Sequence, residues 1–83
     1  MMTKEEVQKR IEAGLKCDYI LVSGDDGRHF DAIVVSAAFE GLGKLKQHKL
    51  VYETLGDAMQ TDEIHALSVH TYTPTDWERV HAL

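Results

Sequence analysis

Residues 63–74 read EIHALSVHTYTP. The alternation from Ile64 to Tyr72, rich in β-branched and aromatic residues, predicts a strand. Thr73-Pro74-Thr75-Asp76 then opens a helix, with Thr73 as N-cap, Pro74 at the first helical position and Asp76 three residues after the cap. The direction of this strand relative to the one before it decides the fold. His65 and His70 fall on its opposite faces, because successive side chains alternate. His65 shares a face with Leu67, Val69 and Thr71, the side expected to pack against helices. It is therefore expected at the mouth of the core, partly covered, with its ring reaching solvent at the rim. His70 shares the open face with Ile64, Ala66, Ser68 and Tyr72.

Working back along the chain, Phe30–Ser36 (FDAIVVS) and Cys17–Ser23 are two further strands. The turn Gly24-Asp25-Asp26-Gly27 joins them into a hairpin with a loop longer than the tightest kind. Asp31 is expected to face solvent. Between the second and third strands lie roughly two dozen residues, enough for a crossover, and a crossover makes the two strands parallel. That segment begins with a bend or short helical turn at Ala37–Gly43. A helix over Lys44–Met59 follows, with Leu45, Tyr52, Leu55 and Met59 as its apolar stripe and Val51 and Ala58 alongside. At the N-terminus, Thr3 and Glu6 form a capping box for a helix from about Lys4 to Lys16, with Val7, Ile11 and Leu15 on one face and Gly14 near its end. Trp77 and Val80 are expected to dock the last helix.

The expected fold class is α+β, in the order α-β-β-α-(α)-β-α, one of the two central helical segments being only a turn. A small three-stranded mixed sheet, a hairpin plus a parallel third strand, carries helices packed on one face. Phe30, Phe39, Tyr52, Tyr72 and Trp77 are the large core candidates.

At 83 residues the chain is expected to form one domain over residues 1–83. With 43% hydrophobic and 28% charged residues it has the composition of a folded protein, not a disordered one. A formal net charge of −5 gives it no overall attraction to nucleic acid or anionic membranes. The lone cysteine, Cys17, excludes an internal disulfide. The charged start MMTKEEVQKR has no apolar signal segment, and no apolar run is long enough to span a bilayer. A cytoplasmic location is expected.

The topology gives two histidines a common place. Parallel strands start at the same end of a sheet; His29 lies just before the second strand and His65 at the start of the third. Both therefore belong to one rim if the strands are neighbours. The bland alternative, a hydrogen-bonded structural histidine, holds for His70, and His48 and His81 read as a solvated helix face and a helix C-terminus. Imidazole nitrogens suit borderline metals such as zinc and iron, but those metals want four ligands. There is no CxxC and no HExxH, so a site on His29 and His65 must be completed by another molecule. Asp25, Asp26, His29 and Asp31 also invite an acid–base reading. They occupy an exposed turn where Asp serves local hydrogen bonding, and so short a chain leaves little room for a deep pocket. No enzyme activity is expected.

The blocks SGDDGRHFDAIVVS, FEGLGKLKQHKLVYETL and IHALSVHTYTPTDW, in this order, resemble the BolA-like family over nearly the full length. The resemblance implies a fold related to the type II K-homology domain. It also implies a heterodimer with a monothiol glutaredoxin that shares a [2Fe–2S] cluster. The glutaredoxin provides a cysteine and a bound glutathione thiol. The BolA-like partner provides the histidine at the start of the last strand, here His65, and a His or Cys from the loop before the second strand, here His29. His70 is an auxiliary candidate. No cluster is expected in the isolated chain, which would be a monomer or a weak homodimer. The family has also been linked to transcription control in stress responses. The alternative reading is thus a DNA-binding regulator using the basic set Lys44, Lys46, His48 and Lys49, preceded by Gly41 and Gly43, as a phosphate or partner surface. Gly41-Leu42-Gly43 lacks K-homology GxxG spacing, and no exposed aromatics interleave with the bases.

Overall fold

Helix α1 (Lys4–Gly14) begins where sequence and backbone agree: Thr3 Oγ1 accepts from Glu6 N, and Glu6 Oε2 accepts from Thr3 N, each at 3.1 Å. The helix buries Val7 and Ile11. It stops at Gly14, where a Cβ would lie 2.9 Å from Thr54 Cγ2, so the glycine lets α1 cross closely over the end of the next helix. The computed structural model describes residues 2–61 and 63–82. After α1 come β1 (Tyr19–Ser23), β2 (His29–Val35), a 3-10 turn at Ala37–Phe39, α2 (Lys44–Thr54), β3 (Ala66–Tyr72) and α3 (Pro74–His81). Cys17 lies just before β1 rather than inside it.

The sheet order is β1-β2-β3, with β1 antiparallel and β3 parallel to β2. The register sets Val22 against Ala32, Phe30 against Leu67 and Ala32 against Val69. These side chains share one face and meet Val7, Ile11, Phe39, Val51, Leu55 and Ile64 in a single core. Helices α1 and α2 pack on this face, as expected. On the other face, Tyr19, Val35 and Tyr72 form one cross-strand row. Helix α3 hangs from the end of β3 and rests Trp77 on this row, 5.3 Å from Tyr19 and 5.1 Å from Tyr72 between ring centroids.

Two expectations about the helices are corrected. Helix α2 ends at Thr54 because Gly56 turns the chain with φ +60°, so Met59 lies beyond it. Its buried positions are Gln47 and Val51, followed by Leu55 and Ala58, whereas Leu45 is 84% exposed and Tyr52 38%. The buried position belongs to a polar residue because its amide is satisfied. Gln47 Nε2 donates to Leu42 O at 2.8 Å and to Phe39 O at 3.4 Å, and Gln47 Oε1 accepts from Thr71 Oγ1 at 2.8 Å. That rotation carries Leu45 to the outside. Val80 does not dock α3 either; it is exposed, and Trp77 makes the seat, with His81 packed on it at 4.2 Å.

The outer border of β3 is met by side chains of α2. Lys44 Nζ donates to Thr71 O and sits 4.7 Å from the Tyr72 ring centroid, and the Tyr52 hydroxyl reaches Leu67 O at 3.5 Å. Among the described residues no helix is long and apolar enough to cross a membrane.

Candidate metal centre

His29 is the first residue of β2, and its register partner on β3 is Ala66. The parallel pairing therefore carries His65, the residue before Ala66, to the same rim. The peptide of Arg28 closes the arrangement: its carbonyl accepts from both His65 N and Ala66 N at 3.0 Å each. The two imidazoles meet edge to face with centroids 5.1 Å apart and planes at 77°. Both residues are exposed. The partly covered position expected for His65 is thus corrected. The strand begins at Ala66, two residues later than expected, so His65 lies outside the alternation that buries Leu67 and Val69 and swings clear of the core.

The loop before β2 is built around Asp26. Its Oδ1 accepts from the backbone N–H groups of Arg28 and His29, each at 2.8 Å. Its Oδ2 lies 2.7 Å from His29 Nδ1. The N–H of His29, its ring and the N–H of Arg28 together hold the Asp26 carboxyl well below the usual carboxylate range. A carboxylate in this state accepts only, so the nitrogen facing it carries the proton. Sequence reasoning credited the aspartates of this turn with local hydrogen bonding but missed the link to His29. The signal was the Asp-x-x-His spacing.

Other sites separate from this rim. His70 faces the open side of the sheet opposite Ile33 and is exposed. It shares a shallow hollow of about 340 Å³ with Lys44, His48 and Tyr72 on the β3 border. Gly41 lies exposed in the turn before α2, and Lys46 and Lys49 are exposed on that helix. Lys44 is committed to Thr71 and Tyr72, so the basic set is smaller in effect than its sequence suggests. Asp31 faces solvent, as expected. Cys17 is half-buried, and its Sγ donates to Leu15 O at 3.3 Å.

The donors at the rim fit a shared metal group in kind and number. Two imidazoles supply half of a four-ligand sphere, both from exposed positions that a second molecule can reach. Among the described residues no group of three or more His, Cys, Asp or Glu could hold a metal ion unaided.

Comparison with known proteins agrees with this architecture. The family described as BolA-like protein matches residues 4–76. The acid stress protein IbaG of Escherichia coli is 36% identical over 94% of this chain and 92% of its own length. The DNA-binding transcriptional regulator BolA of the same organism is 31% identical, covering 94% of this chain and 82% of its own. A BolA homologue from Coxiella burnetii of known structure superposes with a TM-score of 0.78 at 45% identity, covering 95% of this chain and 100% of that one. On this agreement of sequence and fold, the chain belongs to the BolA-like family, whose members are non-catalytic adaptor and regulatory proteins.

Proposed function

We propose that this protein is an iron–sulfur trafficking or regulatory factor that binds a monothiol glutaredoxin and shares a [2Fe–2S] cluster through His29 and His65. The observation that carries the reading is the 5.1 Å meeting of two exposed imidazoles at one sheet rim, brought there by the parallel register. Iron in such a cluster is four-coordinate, and the chain offers nitrogen donors without thiolates beside them. A glutaredoxin cysteine and glutathione thiol would complete the set. Imidazole in place of thiolate lowers the negative charge on the cluster and raises its potential, which suits transfer or sensing better than storage. His70, on another part of the sheet, would serve only as an auxiliary ligand. The same reading takes residues 1–83 as one domain of the type II K-homology kind.

The test is anaerobic reconstitution with a monothiol glutaredoxin and glutathione, with iron and acid-labile sulfide assayed in the complex. His29→Ala and His65→Ala should each change its visible absorption and circular dichroism. Wild-type spectra in both variants would reject the ligand assignment.

A second reading, DNA binding through α2, is supported by the name of the regulator BolA from Escherichia coli and by the exposed Lys46 and Lys49. It ranks lower because Lys44 is engaged within the fold and Leu45, 84% exposed, stands among the bases. Salt-dependent binding to duplex DNA, weakened by Lys46→Ala and Lys49→Ala together, would support it; no binding at low ionic strength would dismiss it.

A further inference from the structure

We propose that Asp26 is the positioning residue that makes His29 an Nε2 donor. This rests on the reading of His29 as a ligand. The two carboxylate oxygens of Asp26 divide the work. Oδ1 gathers the N–H groups of Arg28 and His29 and so fixes the backbone from which the ring projects. Oδ2 takes the ring itself at 2.7 Å from Nδ1. A neutral imidazole facing an acceptor-only group must place its proton on the nitrogen that faces it. The proton is therefore on Nδ1 and the lone pair on Nε2. Ligand histidines in metal sites are set by this kind of outer carboxylate, which fixes tautomer and ring orientation and raises the basicity of the donor nitrogen. Here the device is in place in the chain alone, before any partner arrives. His65 has no matching carboxylate among the hydrogen bonds of the described residues; its fixed point is the backbone bond to Arg28 O. The two histidines are therefore unequal: His29 is preset by Asp26, and His65 sets its ring on binding.

Asp26→Asn tests this with little change in shape. The amide oxygen of asparagine can keep both backbone bonds, while its NH₂ group donates to Nδ1 and forces the ring proton onto Nε2. Nitrogen-15 NMR of the isolated chain should show His29 as the Nδ1–H tautomer in the wild type and the Nε2–H tautomer in the variant, with His65 unchanged. Asp26→Ser, whose hydroxyl can still accept from the loop but cannot reach the ring, should give a mixture of tautomers. In the reconstituted glutaredoxin complex, Asp26→Asn should weaken cluster retention by about 10–100-fold, the range for losing such a partner. It should also reproduce the spectrum of His29→Ala, and the double variant should add nothing. A wild-type chain without the Nδ1–H form, or tautomers indifferent to Asn and Ser at this position, overturns the proposal whatever the cluster does. A changed tautomer with wild-type cluster behaviour, while His29→Ala is altered, also overturns it and leaves the ligand assignment standing. An unaltered His29→Ala complex removes the ligand assignment, and the proposal with it.

Discussion

Gly24 passes so close to the start of β2 that a Cβ on it would lie 2.5 Å from His29 O and 2.8 Å from Phe30 Cδ1. Its φ of +151° is also one that side chains rarely adopt. The hairpin loop can thus lie flat against the segment that carries His29 only if this residue is glycine. Gly24→Ala should destabilise the fold by about 1–3 kcal/mol, the scale of one strained backbone site. It should also shift the amide resonances of His29 and Phe30. Urea denaturation followed by Trp77 fluorescence measures the first, and an unchanged midpoint would contradict the packing described.

Gln47 is expected to be among the costliest polar residues to remove. Gln47→Ala leaves the buried Thr71 hydroxyl and the carbonyl of Leu42 without their partner. The loss should be about 1–3 kcal/mol, the penalty for a buried polar group left unsatisfied. Thr71→Val should cost less when added to Gln47→Ala than when made alone, because the two side chains bond to each other. Additive effects in a double-mutant cycle would show that the bond is not coupled.

Acid should act late on the His29 loop. The folded Asp26 carboxyl is held below its ordinary value of 3.8, so its contribution is complete above that value. It is lost only as the pH falls further, through the folded value. Because Asp26 is solvent-exposed, the effect on global stability is small, and the local signal is the useful one. A carbon-13 titration of the Asp26 carboxyl should stay flat as the pH passes its ordinary value of 3.8. A midpoint at the ordinary value would mean that the bonds to Arg28 and His29 are not kept.

Cys17 should react slowly. Burial, and then the negative charges of Glu12 and Asp18, push its thiol pKa up, which keeps it protonated at neutral pH. The sign is opposite to that of Asp26: the contribution is full below the ordinary value of 9.0 and fades as the pH rises through the folded one. Iodoacetamide should therefore alkylate the native chain several-fold more slowly than the unfolded chain at mildly alkaline pH. Equal rates would contradict the burial of the thiol.

The elements legible in the sequence were those set by local chemistry. Thr3 with Glu6, Thr73 with Pro74, and the Gly24–Gly27 turn each state a boundary within a few residues, and the structure keeps all three. The long connection after Val35 then fixed the parallel pairing, and with it the meeting of His29 and His65. What escaped depended on contacts between distant segments. The hydrophobic pattern put Leu45 inside and gave no place to Gln47, because only the folded chain brings Phe39, Leu42 and Thr71 around that amide. Val80 was misplaced for a similar reason: Tyr19 and Tyr72 make a stacking seat for Trp77 that a helix-face count does not show. The Asp26–His29 contact was within reach of sequence reasoning, being three residues apart, but turn aspartates are common and nothing in composition marks this one.

The side chains of Lys44 and Tyr52 have a consequence beyond the packing of α2. A border strand with bare carbonyls is a template on which a neighbouring molecule can add its own strand, and from there aggregates grow. Here Thr71 and Leu67 already have donors, and one of those donors carries a charge that an approaching backbone would have to displace. A strand added at this border would have to displace both side chains from those carbonyls.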